Sequence, residues 1–385
     1  SGDIRVQNAS LTARNLMPGP LHGLTVIEMC ALGPVPLAGQ LMADQGADVI
    51  VIDRQPAKAD PTEINRRNKR SVVFDLKSPQ GQQSARDLIT TADILIEGFR
   101  PGVMERLGLG PDDLHAINPG LIYGRMTGWG QSGPLAQTAG HDINYLAITG
   151  ALHAIGRNGQ PPVPPLNLVA DYGGGAMFLL FGVLSALYER NHSKRGQVVD
   201  AAMIEGVPAM MGLIQTMFAR GQWQQHRESN PLDGGAPYYR CYETLDGGYM
   251  AVGCIEPHFF KCFVELAGLP ASDIDIQNDQ QQWPAMCERY AAHFKSRTRE
   301  QWQQTFEGSD ACVAPVLNFD EAAEYPHNRD RQIFITPADV LQTAVVPKFS
   351  RSQPAQGRTA TGAGSSTDEI VGVLEGSDAH GNRKS

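Results

Sequence analysis

The chain has 385 residues, enough for more than one core, and its 42% hydrophobic and 19% charged residues are ordinary for a globular enzyme. A net charge of −9 argues against a surface that as a whole attracts nucleic acid or anionic membrane, so a phosphate-bearing ligand would have to be held by local basic residues. Six cysteines with no C-x-x-C pair point away from a zinc site or disulfide framework and toward a reducing cytosol.

Residues 1–20 are polar, carry Pro18 and Pro20, and read as an N-terminal extension without the charged-then-apolar order of a signal peptide. From there the pattern alternates. Strands are predicted at Leu24–Glu28, Asp48–Asp53, Ser71–Asp75, Ala92–Glu97 and Leu121–Arg125, with helices at Pro36–Gln45, Pro79–Thr91 and near Gly102–Arg106. That order predicts an α/β fold with a doubly wound, Rossmann-like parallel sheet. Helical patterns follow around His141 and over Gly173–Arg190, then a strand at Gln197–Ala201 and an apolar helix at Ile204–Arg220. The stripe Met203, Met210, Met211 and Met217 reads as core packing. The apolar run Ala176–Tyr188 is too short to span a bilayer and reads as a buried helix.

Composition shifts at Gly221–Arg240, a polar stretch suited to link domains. Tyr239–Ala251 looks like a hairpin turning at Asp246-Gly-Gly, and helical segments with Trp283 and Trp302 complete a smaller α+β unit ending near Pro315. Beyond Asn328, Pro-rich loops alternate with one helix near Thr367–Leu374. The expected domains are therefore 21–220, a large domain; 221–327, linker and small domain; and 328–385, a segment returning to the large domain.

The strand-turn-helix start invites a dinucleotide reading, but the turn Ala31–Gly39 does not support it. A pyrophosphate cradle needs closely spaced glycines and free backbone N–H groups. Pro34 and Pro36 remove two such donors, and there is no Walker loop.

Two short segments carry chemistry. Gly140-His141-Asp142-Ile143-Asn144-Tyr145 and Asn167-Leu-Val-Ala-Asp171-Tyr-Gly-Gly-Gly175 each set an ionisable side chain at an expected helix N-terminus, where unpaired N–H groups favour negative charge. A histidine and a carboxylate are suited to carry a proton to and from a weakly acidic carbon, with an N-terminal N–H holding the enolate oxygen. On local chemistry alone, Asp142 and Asp171 read as ordinary N-caps, which would leave function undetermined.

These segments resemble the alpha-methylacyl-CoA racemases of the family III CoA-transferase (CaiB/BaiF) superfamily. The likeness spans about Leu21–Phe334 and includes Asn68-Lys-Arg-Ser-Val-Val-Phe-Asp-Leu-Lys77, Phe99-Arg-Pro-Gly-Val-Met-Glu-Arg106, Gly140–Tyr145, Ala251-Val-Gly-Cys-Ile-Glu-Pro257 and Asp310-Ala-Cys-Val-Ala-Pro-Val316. It implies an enzyme that interconverts the epimers of 2-methylacyl-CoA, with His141 and Asp171 as the catalytic pair, Asp142 beside the histidine, and Glu256 orienting the histidine. Coenzyme A contacts are implied at Arg54, at Phe74, Asp75, Leu76 and Lys77, and at Arg106, with Gly140, Ile143, Asn144 and Tyr145 at the thioester end. The basic run Arg66-Arg67-Asn68-Lys69-Arg70 is a further candidate for phosphate contact, or simply solvated surface. The resemblance also implies an intertwined homodimer in which Glu256 completes the partner's site, and no cofactor beyond the coenzyme A carried by the substrate; no metal, no membrane span and a cytoplasmic location are expected from the cysteine spacing and hydropathy above. The rival reading is a family III CoA-transferase, with Asp171 as a nucleophile that passes coenzyme A to a carboxylic acid. His141 favours the racemase, because only racemisation needs a second proton carrier. The acyl chain (branched fatty acyl, sterol side chain or arylpropionyl) stays open.

Overall fold

The computed structural model describes residues 19–354 and 358–381; most of the expected N-terminal extension lies outside them. In chain order come β1 (Thr25–Met29), α1 (Pro34–Asp44), β2 (Asp48–Asp53), β3 (Arg70–Val73), α2 (Pro79–Thr90), β4 (Ile94–Glu97), α3 (Val103–Arg106), α4 (Pro111–Ile117), β5 (Ile122–Thr127) and α5 (Asp142–Thr149). A π-helical segment, Leu168–Ala176, runs into α6 (Met177–Ser193), followed by β6 (Val198–Ala202), α7 (Met203–Met210) and α8 (Gly212–Ala219). Next are β7 (Tyr239–Glu243), β8 (Tyr249–Gly253), α9 (Pro257–Ala267), α10 (Trp283–Phe294), α11 (Arg299–Phe306) and β9 (Val313–Pro315). The chain closes with α12 (Phe319–Glu324), α13 (Pro326–Asp330), β10 (Phe334–Ile335), β11 (Gln342–Thr343) and α14 (Thr367–Gly381).

Two compact units result. The first holds residues 19–138, Asp171–Met203 and the described residues from Gln332; the second holds Ala139–Ala170 and Ile204–Arg331. These limits differ from those expected from composition, which put 139–170 and 204–220 with the large domain. The apolar side chains Val207, Met210 and Ile214 face Ala151, Ile155 and Trp223 across a hollow of about 370 Å³, which groups these stretches.

In the first unit six parallel strands stand in the order β3-β2-β1-β4-β5-β6, the doubly wound arrangement that the alternation predicts. Strand runs such as Val49–Ile52 and Ile94–Ile96 are buried, as a parallel sheet covered on both faces requires. The C-terminal segment covers the β3 edge. Ser366 N–H donates to Ser71 O at 2.9 Å, Gly364 N–H to Ser71 Oγ at 2.7 Å, and Val73 N–H to Thr367 Oγ1 at 3.1 Å.

In the second unit β7-β8-β9 form an antiparallel sheet, and β7–β8 is the hairpin expected at Asp246-Gly-Gly. Its core is aromatic: Trp302, Tyr290, Phe294, Phe260 and Phe263 are fully buried, with Phe294 and Phe263 stacked at 6.2 Å.

Four expectations need correction. The helix expected over Gly173–Arg190 begins earlier, at Leu168, so Asp171 lies inside a π-helical turn instead of capping a helix. Within the continuous helical stretch Leu168–Ser193, of 26 residues, an 18-residue window has a mean hydropathy of 1.5, a length and composition that core helices share with membrane spans. The stretch is also less buried than expected: Leu179 and Val183 close over Gly124 of β5, while Phe181 and Tyr188 are 71% and 70% exposed. Third, Ile204–Arg220 is not one helix. Pro208 sits inside α7, and Met211 N–H bonds back to Pro208 O, breaking the run into α7 and α8. Last, of the methionine stripe only Met203 is buried; Met210 is 46% exposed.

The basic run 66–70 is spent on internal pairs. Arg66 meets Asp53 at 2.6 Å, Lys69 meets Glu28 at 2.6 Å, and Arg70 pairs with Asp48 and Glu369. Arg67, 2% exposed, meets Asp44, 0% exposed, at 2.6 Å, and donates also to Gln342 Oε1 and Thr343 O. Removing one partner of such a buried pair strands the other charge. Arg67→Met should therefore lower unfolding free energy by about 3–5 kcal/mol. Urea denaturation reads this directly, and a loss below about 1 kcal/mol, the scale of an exposed pair, would show that the pair contributes little.

Candidate active site

In an open doubly wound sheet, ligands bind outside the carboxyl ends of the strands, where the strand order reverses. Here the reversal lies between β1 and β4, and a cleft of about 770 Å³ opens there. Cys30, Ala31 and Leu32 from the β1–α1 turn line it, with Arg54 following β2 and Gly98 and Phe99 following β4. Arg54 lies over the Phe99 ring, 5.8 Å from its centroid. Arg54 and Lys58 line the cleft as exposed cations and, among the described residues, neither makes an ion pair. Arg66 also lines it but is held by Asp53. Burial works against the Asp53 carboxylate, yet hydrogen bonds from Arg66 and Ser71 hold it below the ordinary range. Burial, aided by the negative charge of Asp53, pushes the Cys30 thiol up to about 11, so Cys30 stays protonated at neutral pH.

The turn that edges this cleft also meets Asp171. Gly33 has φ 74°, and a Cβ built on it would lie 3.6 Å from Asp171 Oδ2. The half-buried Asp171 carboxylate thus packs against the start of α1, where backbone polarity favours an anion.

His141 is the exposed N-cap residue of α5, as expected, and its N–H donates to Asn144 Oδ1 at 3.0 Å. Asp142 is buried, and its Oδ2 accepts the Ala170 N–H at 3.0 Å. The hydrogen-bonded residues Asp142 and Ala170 are the chain neighbours of His141 and Asp171. Tyr145 is buried with its hydroxyl donating to Gly140 O, and Ile143 and Asn144 are exposed on the first turn of α5. Glu256 is the exposed N-cap residue of α9, and among the described residues no hydrogen bond joins it to His141.

The remaining coenzyme A candidates fall outside the residues lining the cleft. Phe74 is buried in the core of the first unit, so it can offer a ligand only its backbone. Asp75 and Lys77 are exposed in the turn before α2, with Leu76 half-buried between them, and Arg106 is exposed at the end of α3. Sequence reasoning missed Lys58, whose only signal is a cation in the loop after β2. It also missed Glu97, whose signal is a carboxylate closing an otherwise apolar strand.

Residues 21–365 match CoA-transferase family III. Alpha-methylacyl-CoA racemase of Mus musculus is 43% identical over 352 residues, covering 91% of this chain and 90% of that protein. The Homo sapiens racemase is 42% identical over 341 residues, covering 86% and 89%. Among solved structures, a CAIB/BAIF family protein from Brucella suis shares the fold with a TM-score of 0.77 at 22% identity, over 93% of this chain and all of that one. The chain belongs to CoA-transferase family III.

Proposed function

We propose that this enzyme is an alpha-methylacyl-CoA racemase, interconverting the (2R) and (2S) epimers of 2-methylacyl-CoA thioesters through an enolate, with His141 and Asp171 as the two proton carriers. In one direction the Asp171 carboxylate takes the proton at C2, and protonated His141 returns its own proton to the opposite face. The reverse uses neutral His141 and protonated Asp171. The enolate oxygen needs a donor that does not compete for the proton, and the first-turn N–H groups of α5 supply one. No cofactor beyond the coenzyme A moiety is required.

The observation that carries this reading is the 3.0 Å bond between Asp142 Oδ2 and Ala170 N–H, because it ties the backbone next to one proton carrier to the backbone next to the other. The identity to the mouse and human racemases supports the substrate class, and the cationic cleft supports the coenzyme A site, with Arg54 and Lys58 as phosphate partners. The exposed apolar residues Phe181, Leu184 and Tyr188 of α6 support a homodimer, in which Glu256 would act on the partner's histidine. All six cysteines are free, which supports a cytoplasmic location.

A single 2-methylacyl-CoA epimer incubated in deuterated water should lose optical purity as label enters C2. Transfer of coenzyme A to a free acid without label would identify a transferase instead. His141→Ala and Asp171→Ala should each slow epimerisation by about 10²–10⁴-fold while coenzyme A still binds; near-normal turnover in either variant rejects the pair. Arg54→Ala should raise KM about tenfold with kcat little changed, as expected when a charge-assisted contact to phosphate is lost. A lowered kcat at unchanged KM would place Arg54 in the chemistry instead.

A further inference from the structure

Glu97 is fully buried at the end of β4, below the cleft, and the reaction does not use it. Its Oε2 accepts the Phe99 N–H at 2.7 Å, and its Oε1 accepts Arg125 Nε at 2.9 Å. Arg125 in turn donates to Glu105 of α3 at 2.7 Å. The turn held this way has little room to shift, since a Cβ on Gly98 would come within 3.0 Å of Val35 Cγ2 in α1. It carries Phe99, the ring that supports Arg54 at the cleft wall.

We infer that Glu97 is a positioning residue for coenzyme A: by holding the Phe99 N–H it fixes the turn on which the Arg54 guanidinium rests. The inference depends on the cleft being the coenzyme A site. The groups facing the carboxylate are Arg125 and Tyr123 of β5 and Glu105 of α3. Burial pushes the Glu97 carboxyl up to about 7, against the pull of the Phe99 N–H and Arg125. Protonation sets an O–H opposite one of two donors, so one of the two bonds weakens as pH falls through neutrality. Ligand binding should therefore be tight above that pH and weaken below it.

The test measures binding of 3′-dephospho-coenzyme A, whose diphosphate stays ionised throughout, by calorimetry between pH 6 and 8. It also measures KM and kcat for a 2-methylacyl-CoA. Wild type should bind several-fold more weakly at pH 6 than at pH 8. Glu97→Gln should raise KM about tenfold at pH 8 with kcat within about twofold, and should lose the pH dependence. Phe99→Ala keeps the backbone bond but removes the ring through which it reaches Arg54, so it should weaken binding and flatten the pH dependence. Should Glu97→Gln fail to fold, the wild-type and Phe99→Ala profiles decide alone. A flat wild-type profile, a Glu97→Gln KM equal to that of wild type, or a fall confined to kcat overturns the inference. Failure of wild type to bind coenzyme A at any pH would instead sink the reading of the cleft.

Discussion

A buried carboxylate bonded to one backbone amide underlies the proposed site. Asp142 gives up its hydration to accept the Ala170 N–H, and burying an anion is tolerable only when donors of this kind replace water. The residue before Asp142 is the histidine that caps α5, and the residue after Ala170 is the aspartate that packs against Gly33. One hydrogen bond thus joins the chain neighbours of the two proposed proton carriers. The π-helical turn around Asp171 fits this constraint, since such turns re-aim a side chain without ending a helix.

Within the sheet unit, four buried or half-buried carboxylates are each paired internally. Glu28 takes Lys69, Asp44 takes Arg67, Asp53 takes Arg66, and Glu97 takes Arg125. Lys69 also donates to Pro36 O at 2.9 Å, so the pair inside the sheet anchors the first turn of α1. Such pairs define position more than they add stability. Their consequence for binding is subtraction: among the described residues, Arg54 and Lys58 are the cations lining the cleft that make no ion pair. An acidic protein can therefore hold an anionic thioester in one place without attracting anions over its whole surface.

The exposed apolar positions of α6 follow from the same layering. One face of the helix closes over β5 through Leu179 and Val183, which leaves Phe181, Leu184 and Tyr188 outward. An exposed apolar patch of this kind on a sheet-covering helix is what the homodimer proposal rests on.

The parallel sheet was legible in the sequence, because near-continuous apolar runs such as Val49–Ile52 between helical periods have no other stable burial. So was His141 at a helix start, since the cap and the apolar run after it are local signals. The hairpin at Asp246-Gly-Gly was equally local. What the sequence left undecided is what depends on distant partners. Whether Arg67 and Lys69 face solvent or carboxylates is settled by Asp44 and Glu28, more than twenty residues away in the chain, which only sheet assembly brings to them. That Asp171 lies within a helix and beside Gly33 is visible only in the folded chain, and Glu97 gained its buried environment only when β5 and α3 closed over it. Periodicity encodes which face of an element is apolar; which charges meet is set by the tertiary fold, because Coulomb and hydrogen-bond partners are chosen by distance in space.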